Sequence, residues 1–127
     1  MKLRILDDTI RLRLERTEVD ALGAGTAVAC STHFPGGAAF GYCLETAAGA
    51  AEAEFPAGAI TVRLPANVLK AWAEDETAVS IRESFELAEG ALAVLVEKDF
   101  ECLEPRAGES QANRFQNPKA ASGPSAT

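Results

Sequence analysis

The sequence predicts an α+β fold built from two similar ββαββ units, residues 1–46 and 51–98. Together they form an antiparallel, barrel-like or strongly curved sheet with pseudo-twofold symmetry, a short helix plugging each end. Two packed sheets in a sandwich are the alternative arrangement. Three observations lead there: an internal repeat, short runs in which charged and aliphatic residues alternate, and two apolar stripes too short to be independent helices.

The repeat appears when residues 9–28 are set over 59–79. Ile10, Leu12, Arg13 and Leu14 fall on Ile60, Val62, Arg63 and Leu64, and Val19 and Leu22 fall on Leu69 and Trp72. After one inserted residue Thr26-Ala27-Val28 matches Thr77-Ala78-Val79, and after a second Tyr42, Leu44 and Glu45 match Val94, Val96 and Glu97. The matches keep their order along the chain.

The elements follow in turn. Leu3 and Ile5 alternate with Lys2 and Arg4, then Ile10, Leu12 and Leu14 alternate with Arg11 and Arg13, the period of two that marks a half-buried strand. Asp7-Asp8 and Ala57-Gly58 provide the turns or bulges between paired strands. Thr17 is the expected N-cap of the first helix, with Asp20 three residues on, and Gly23 and Gly25 stop it within two turns. In the second half Pro65 suits a helix start, and Val68, Leu69 and Trp72 form its apolar stripe. Gly36-Gly37 and Glu89-Gly90 separate the last two strands of each half. The run from Ala91 to Val96 is apolar on both faces, as in a central strand covered on both sides.

That last strand runs into VEKDFECL, residues 96–103. Alternation puts Leu92, Val94, Val96 and Lys98 on one face and Glu97, Asp99 and Glu101 on the other. Three carboxylates so close raise their own pKa values unless cations meet them. Arg13 and Arg63 are equivalent by the repeat, as are Glu45 and Glu97, so two Arg–Glu bridges are expected, Arg63 with Glu97 and Arg13 with Glu45. The candidate polar cluster is therefore Arg13, Arg63, Glu45, Glu97 and Asp99.

Composition narrows the function classes. The 127 residues carry a net charge of −7, and residues 1–103 hold 9 basic against 17 acidic side chains, which argues against a nucleic-acid backbone as partner. No apolar run approaches the ~20 residues of a membrane span, and the charged N-terminus lacks the core of a signal peptide. Cys30, Cys43 and Cys102 form an odd, unclustered set, which favours reduced thiols and a cytoplasmic location over a disulfide framework. Cys102, with the single histidine His33 as its only conceivable base, is a weak thiol candidate. No spacing of His, Cys or Asp matches a zinc or calcium site, and PGGAAFG, residues 35–41, lacks the Lys-Ser/Thr of a phosphate loop, so no metal and no cofactor are expected. From Glu104 onward the chain is rich in Pro, Ala, Ser and Gly, with Phe115 its one large apolar residue, so the domain is expected to end near Leu103 and residues 104–127 to form a disordered tail.

The opening MKLRILDDTIRLRLERTEVDAL and the closing LVEKDFECLEPRAGE with its later FQNP resemble a family of small, uncharacterised bacterial proteins. Its members open with MKIRI, a turn, an RLRL-type strand and a Ser/Thr-Glu-Val helix start, and close with EKDFxCL, an acidic segment and Phe-Pro-Asn-Pro. The resemblance implies no catalytic residue. ESQAN and FQNP depart from the family's acidic run and ending.

Two functional readings follow. The first is a small, soluble, non-catalytic binding or accessory module acting through protein or small-ligand contacts. The second is a small enzyme or anion-ligand binder using Arg13, Arg63, Glu97 and Asp99 around one pocket. Convergence of those four side chains would separate them.

Overall fold

The first alternating run, Lys2–Leu6 (β1), turns at Asp7 and returns as Thr9–Leu14 (β2), with Leu3 opposite Leu12 and Lys2 opposite Arg13. The computed structural model describes residues 1–99. Asp7 and Ala57 take the left-handed backbone conformation at φ 50° and 49°, and Gly58 follows Ala57 at φ 82°. These are the conformations a tight strand turn needs, and they are uncommon outside glycine.

Helix Arg16–Gly23 (α1) follows β2 directly. Its N-cap is Glu15, not Thr17: Glu15 is extended, and its backbone N–H donates to the Glu18 carboxylate at 2.9 Å. Glu18 supplies the reciprocal acceptor of a capping box, which fixes the start two residues earlier than the threonine suggested. Val28–His33 (β3) and Ala39–Ala47 (β4) form the next hairpin, around a 3-10 turn at Pro35–Gly37. Glu52–Glu54 (β5), Ala59–Pro65 (β6), helix Ala66–Glu74 (α2), Ser80–Leu87 (β7) and Gly90–Lys98 (β8) complete the described chain.

The fold of the described residues is α+β, with two four-stranded mixed sheets and no closed barrel. One sheet runs β1-β2-β8-β7 and the other β3-β4-β6-β5. The two central pairs, β2 with β8 and β4 with β6, are parallel. Each sheet thus takes one hairpin from each part of the chain. The expectation of an antiparallel sheet fails here because β2 and β6 each pass into a helix instead of turning back, and alternation alone does not distinguish a parallel neighbour from an antiparallel one. The two-sheet alternative is nearer the structure.

A single hydrophobic core joins both sheets and both helices. Leu12, Leu14, Val94 and Val96 enter from one sheet, Leu44, Val62 and Leu64 from the other, Leu22 from α1, and Leu69 and Trp72 from α2. Trp72 satisfies its buried indole N–H with the carbonyl of Val79 at 3.2 Å. The helices do not plug opposite ends. They pack on each other so closely that a Cβ at Gly23 would stand 2.6 Å from the Cβ of Ala73.

Strand β8 is central, as expected, but among the described residues no second layer covers its outward face. Leu95 points outward and is still only 8% exposed. It lies in register between Arg11 and Arg82, long side chains of the kind that can cover an apolar neighbour with their aliphatic stems. The expected boundary near Leu103, the tail 104–127, and the placements of Glu101 and Cys102 all lie outside the described residues.

Candidate functional site

Strand alternation determines which side chains share a face. On the β1-β2-β8-β7 sheet the outward residues stand in cross-strand rows, Lys2–Arg13–Glu97–Ser80 and Arg4–Arg11–Leu95–Arg82. Five of the nine Lys and Arg in residues 1–99 therefore occupy one sheet face of an acidic protein. Lys2 stands directly opposite Arg13, and Arg4 opposite Arg11. Like charges opposed across a strand pair destabilise a sheet, so folding alone does not favour this arrangement.

Compensation on this face is partial. Glu97, 14% exposed, sits 3.3 Å from Arg11 and 3.7 Å from Arg13. Asp99 sits 3.1 Å from Lys2. Arg4 and Arg82 have no ion-pair partner among the described residues. Arg11 leaves its buried Nε without a hydrogen bond. Lys2, Leu3, Arg4, Arg11, Arg13 and Glu97 line a hollow of about 210 Å³.

The other sheet has the same register and the opposite sign. Arg63 stands opposite Glu45 on β4 and Glu52 on β5, as Arg13 stands opposite Glu97 and Lys2. Arg63 donates to Glu45 at 2.7 Å and Glu52 at 3.0 Å, and Glu54 lies 3.2 Å away. Three carboxylates surround one cation, and their hydrogen bonds, first from Glu45 and then Glu52, raise the Arg63 pKa further above its ordinary value. Cys43 lies beside them, its thiol 3.7 Å from Glu45. Burial, and then the Glu45 charge, push that thiol's pKa up, so the thiolate is disfavoured.

The expected pairing is therefore exchanged. Glu97 meets Arg11 and Arg13, and Glu45 meets Arg63, because the parallel pairs β2–β8 and β4–β6 join strands from different halves. Arg13 and Glu97 belong to one sheet, Asp99 directly follows its strand β8, and Arg63 belongs to the other sheet, so the four do not converge in one pocket. Cys102 lies outside the described residues, and His33 ends β3, exposed. Lys2, Arg4, Arg11, Arg82, Glu52 and Glu54 escaped the sequence reading. The outward charges of KLR and RLR were visible, but their assembly on one face required the strand order.

A larger cleft of about 600 Å³ lies between the end of β8 and the two helices, over Leu14, Val19 and Ala73. Part of its polar rim is already engaged. The Lys98 ammonium donates to the Asp75 carbonyl at 2.7 Å and sits 5.4 Å from the Trp72 ring, and the Asp99 N–H donates to the Leu14 carbonyl. The cleft also lies where the described chain ends.

At the N-terminus, Glu18 accepts from the Met1 amino group at 2.6 Å while the Tyr42 hydroxyl donates to the Met1 carbonyl at 2.9 Å. Burial alone would raise the Glu18 pKa. The hydrogen bonds from Met1 and from the Glu15 backbone reverse this and lower it.

No helix among the described residues is long and apolar enough to cross a membrane, and no three His, Cys, Asp or Glu side chains among them gather into a metal-binding group. No curated protein and no solved structure matches the chain. Over residues 1–119, beyond the boundary expected at Leu103, it matches the family described as "Family of unknown function (DUF7009)", and the chain belongs to that family.

Proposed function

We propose that the protein is a non-catalytic binding module, acting in the cytoplasm, that holds an acidic segment of a partner protein on the outward face of β1-β2-β8-β7. The supporting observation is the uneven charge on that face, where Lys2 and Arg4 stand opposite Arg13 and Arg11 and, among the described residues, Glu97 and Asp99 are the only carboxylates paired to them. A cost of this kind in the isolated protein is repaid when a complementary surface supplies the missing charge. The net charge of −7 favours a short acidic segment over a nucleic acid, whose extended phosphate charge would be repelled by the rest of the molecule.

An internal duplication of residues 1–46 and 51–98 belongs to the same proposal. Its support is the shared register, with Arg13 opposite Glu97 as Arg63 is opposite Glu45, and the equivalent left-handed residues Asp7 and Ala57. On this view the edge strands diverged in charge, Lys2 and Arg4 on one sheet answering to Glu52 and Glu54 on the other. One sheet then satisfies its arginine internally, and the other retains cations for a partner.

Fluorescence anisotropy with a labelled oligoglutamate at low salt tests this reading. Arg4→Glu should abolish binding, and Arg63→Gln, on the other sheet, should leave it intact. Equal binding by wild type and Arg4→Glu would refute it.

A further inference from the structure

Resting on the basic-face reading, we infer how the acidic segment binds: it adds as an extra strand along the free edge of β1, with carboxylates at alternate positions and apolar residues between them. Among the described residues strand β1 is an edge strand, paired only with β2, and its pairing runs unbroken from Lys2 to Leu6. It contains neither a proline nor a bulge, two of the devices that usually protect an edge from pairing. Its outer backbone N–H and C=O groups are thus a template for an incoming strand.

The side chains specify what that strand carries. A strand laid along β1 puts every second side chain on the outward face, in register with Lys2 and Arg4. Carboxylates at those positions meet the two cations. The intervening side chains face inward beside Leu3 and Ile5, and Ile5, on the core-facing side of β1, is 51% exposed. Apolar residues there would cover it.

The opposite sheet already contains such an arrangement. On β5, Glu52-Ala53-Glu54 is an acidic–apolar–acidic edge strand, and both glutamates reach the Arg63 of the neighbouring strand, at 3.0 and 3.2 Å. Those carboxylates are committed to Arg63, so β5 of a second copy is not the occupant. The other edges fit an acidic strand less well. β3 carries no Lys or Arg, and β7 has Glu83 and Glu86 beside Arg82.

The experiment compares three labelled peptides of about six residues, a usual strand length, on the full chain at low salt. One alternates glutamate and valine. The second holds the same residues in two blocks, and the third is the alternating peptide N-methylated at every second residue. The alternating peptide should bind at least about tenfold more tightly than either of the others, and Arg4→Glu should weaken it by about tenfold or more. Arg4→Gln, with thermal melting as the control for folding, should weaken it less. Equal affinities for the three peptides would overturn strand addition while leaving the basic-face reading in place. Failure of all three to bind would overturn both. Tight binding of the alternating peptide that survives Arg4→Glu would place the added strand on another edge and overturn the assignment to β1.

Discussion

Replacing Glu97 by glutamine should lower stability and strengthen binding at the same time. Glu97 lies 3.3 Å from Arg11 and 3.7 Å from Arg13. At the effective dielectric of a protein surface, each pair has a raw Coulomb energy of about 5 kcal/mol. Arg11 and Arg13 are 38% and 45% exposed, however, so solvent screening reduces each to the ~0–1 kcal/mol measured for such pairs. Removal of the carboxylate also leaves Arg11 facing Arg4, and Arg13 facing Lys2, without relief. The combined loss is about 1–2 kcal/mol, or roughly 5–10 °C in Tm for a domain of this size. Because the lost pairs are partly exposed, the deficit should shrink at ~1 M salt, where screening acts over about 3 Å. The same substitution makes the face one charge more positive, so an acidic peptide should bind more tightly. Differential scanning calorimetry at two salt concentrations and peptide anisotropy read both effects. A Tm within error of wild type, or weaker peptide binding, would refute the reasoning.

Gly23→Ala should destabilise the α1–α2 contact by about 1–3 kcal/mol, the usual range for overpacking, because its Cβ would meet Ala73 at 2.6 Å. Adding Ala73→Gly should recover part of the loss in a denaturant titration, and no recovery would place the strain elsewhere. Trp72→Ala should cost about 3–5 kcal/mol, since the ring is 4% exposed and its N–H is bonded to Val79; a wild-type melting curve would contradict this. Glu18 has its pKa lowered in the fold, so its contribution is present at neutral pH and is lost as the pH falls through and below the ordinary glutamate range, near ~4. Glu18→Gln should therefore lower Tm at pH 7 and flatten the acid limb of the Tm–pH curve, and an unchanged acid limb would show that Glu18 takes no part in it.

Much of the architecture was legible in local chemistry. Alternation located Lys2–Leu6 and Thr9–Leu14, the short apolar stripes placed Leu22 and Trp72 on buried helix faces, and Pro65 marked the second helix start. The first helix start was misread because Thr17 is a better N-cap by type than Glu15, while the decisive partner was the Glu18 carboxylate. Sheet assembly was not legible. Nothing local to Arg13 or Glu97 tells whether the strand beside β2 is β4 or β8, because hydrophobic alternation sets a face and leaves the neighbour open. The ion pairs follow from that choice, so Glu45 and Glu97 were assigned to the wrong arginines. The basic face was hidden for the same reason. Its charges lie on β1, β2 and β7, far apart in sequence, and the acidic composition as a whole masked them.

Binding at the basic face is tested most directly by backbone amide NMR of the full-length protein, titrated with the alternating glutamate–valine peptide at low salt. The largest shift changes should fall on β1, between Lys2 and Leu6, and on Arg11 and Arg13 of β2, and should fade as salt is raised. Shift changes centred on β3-β4-β6-β5 or on the helices, or none at saturating peptide, would contradict it.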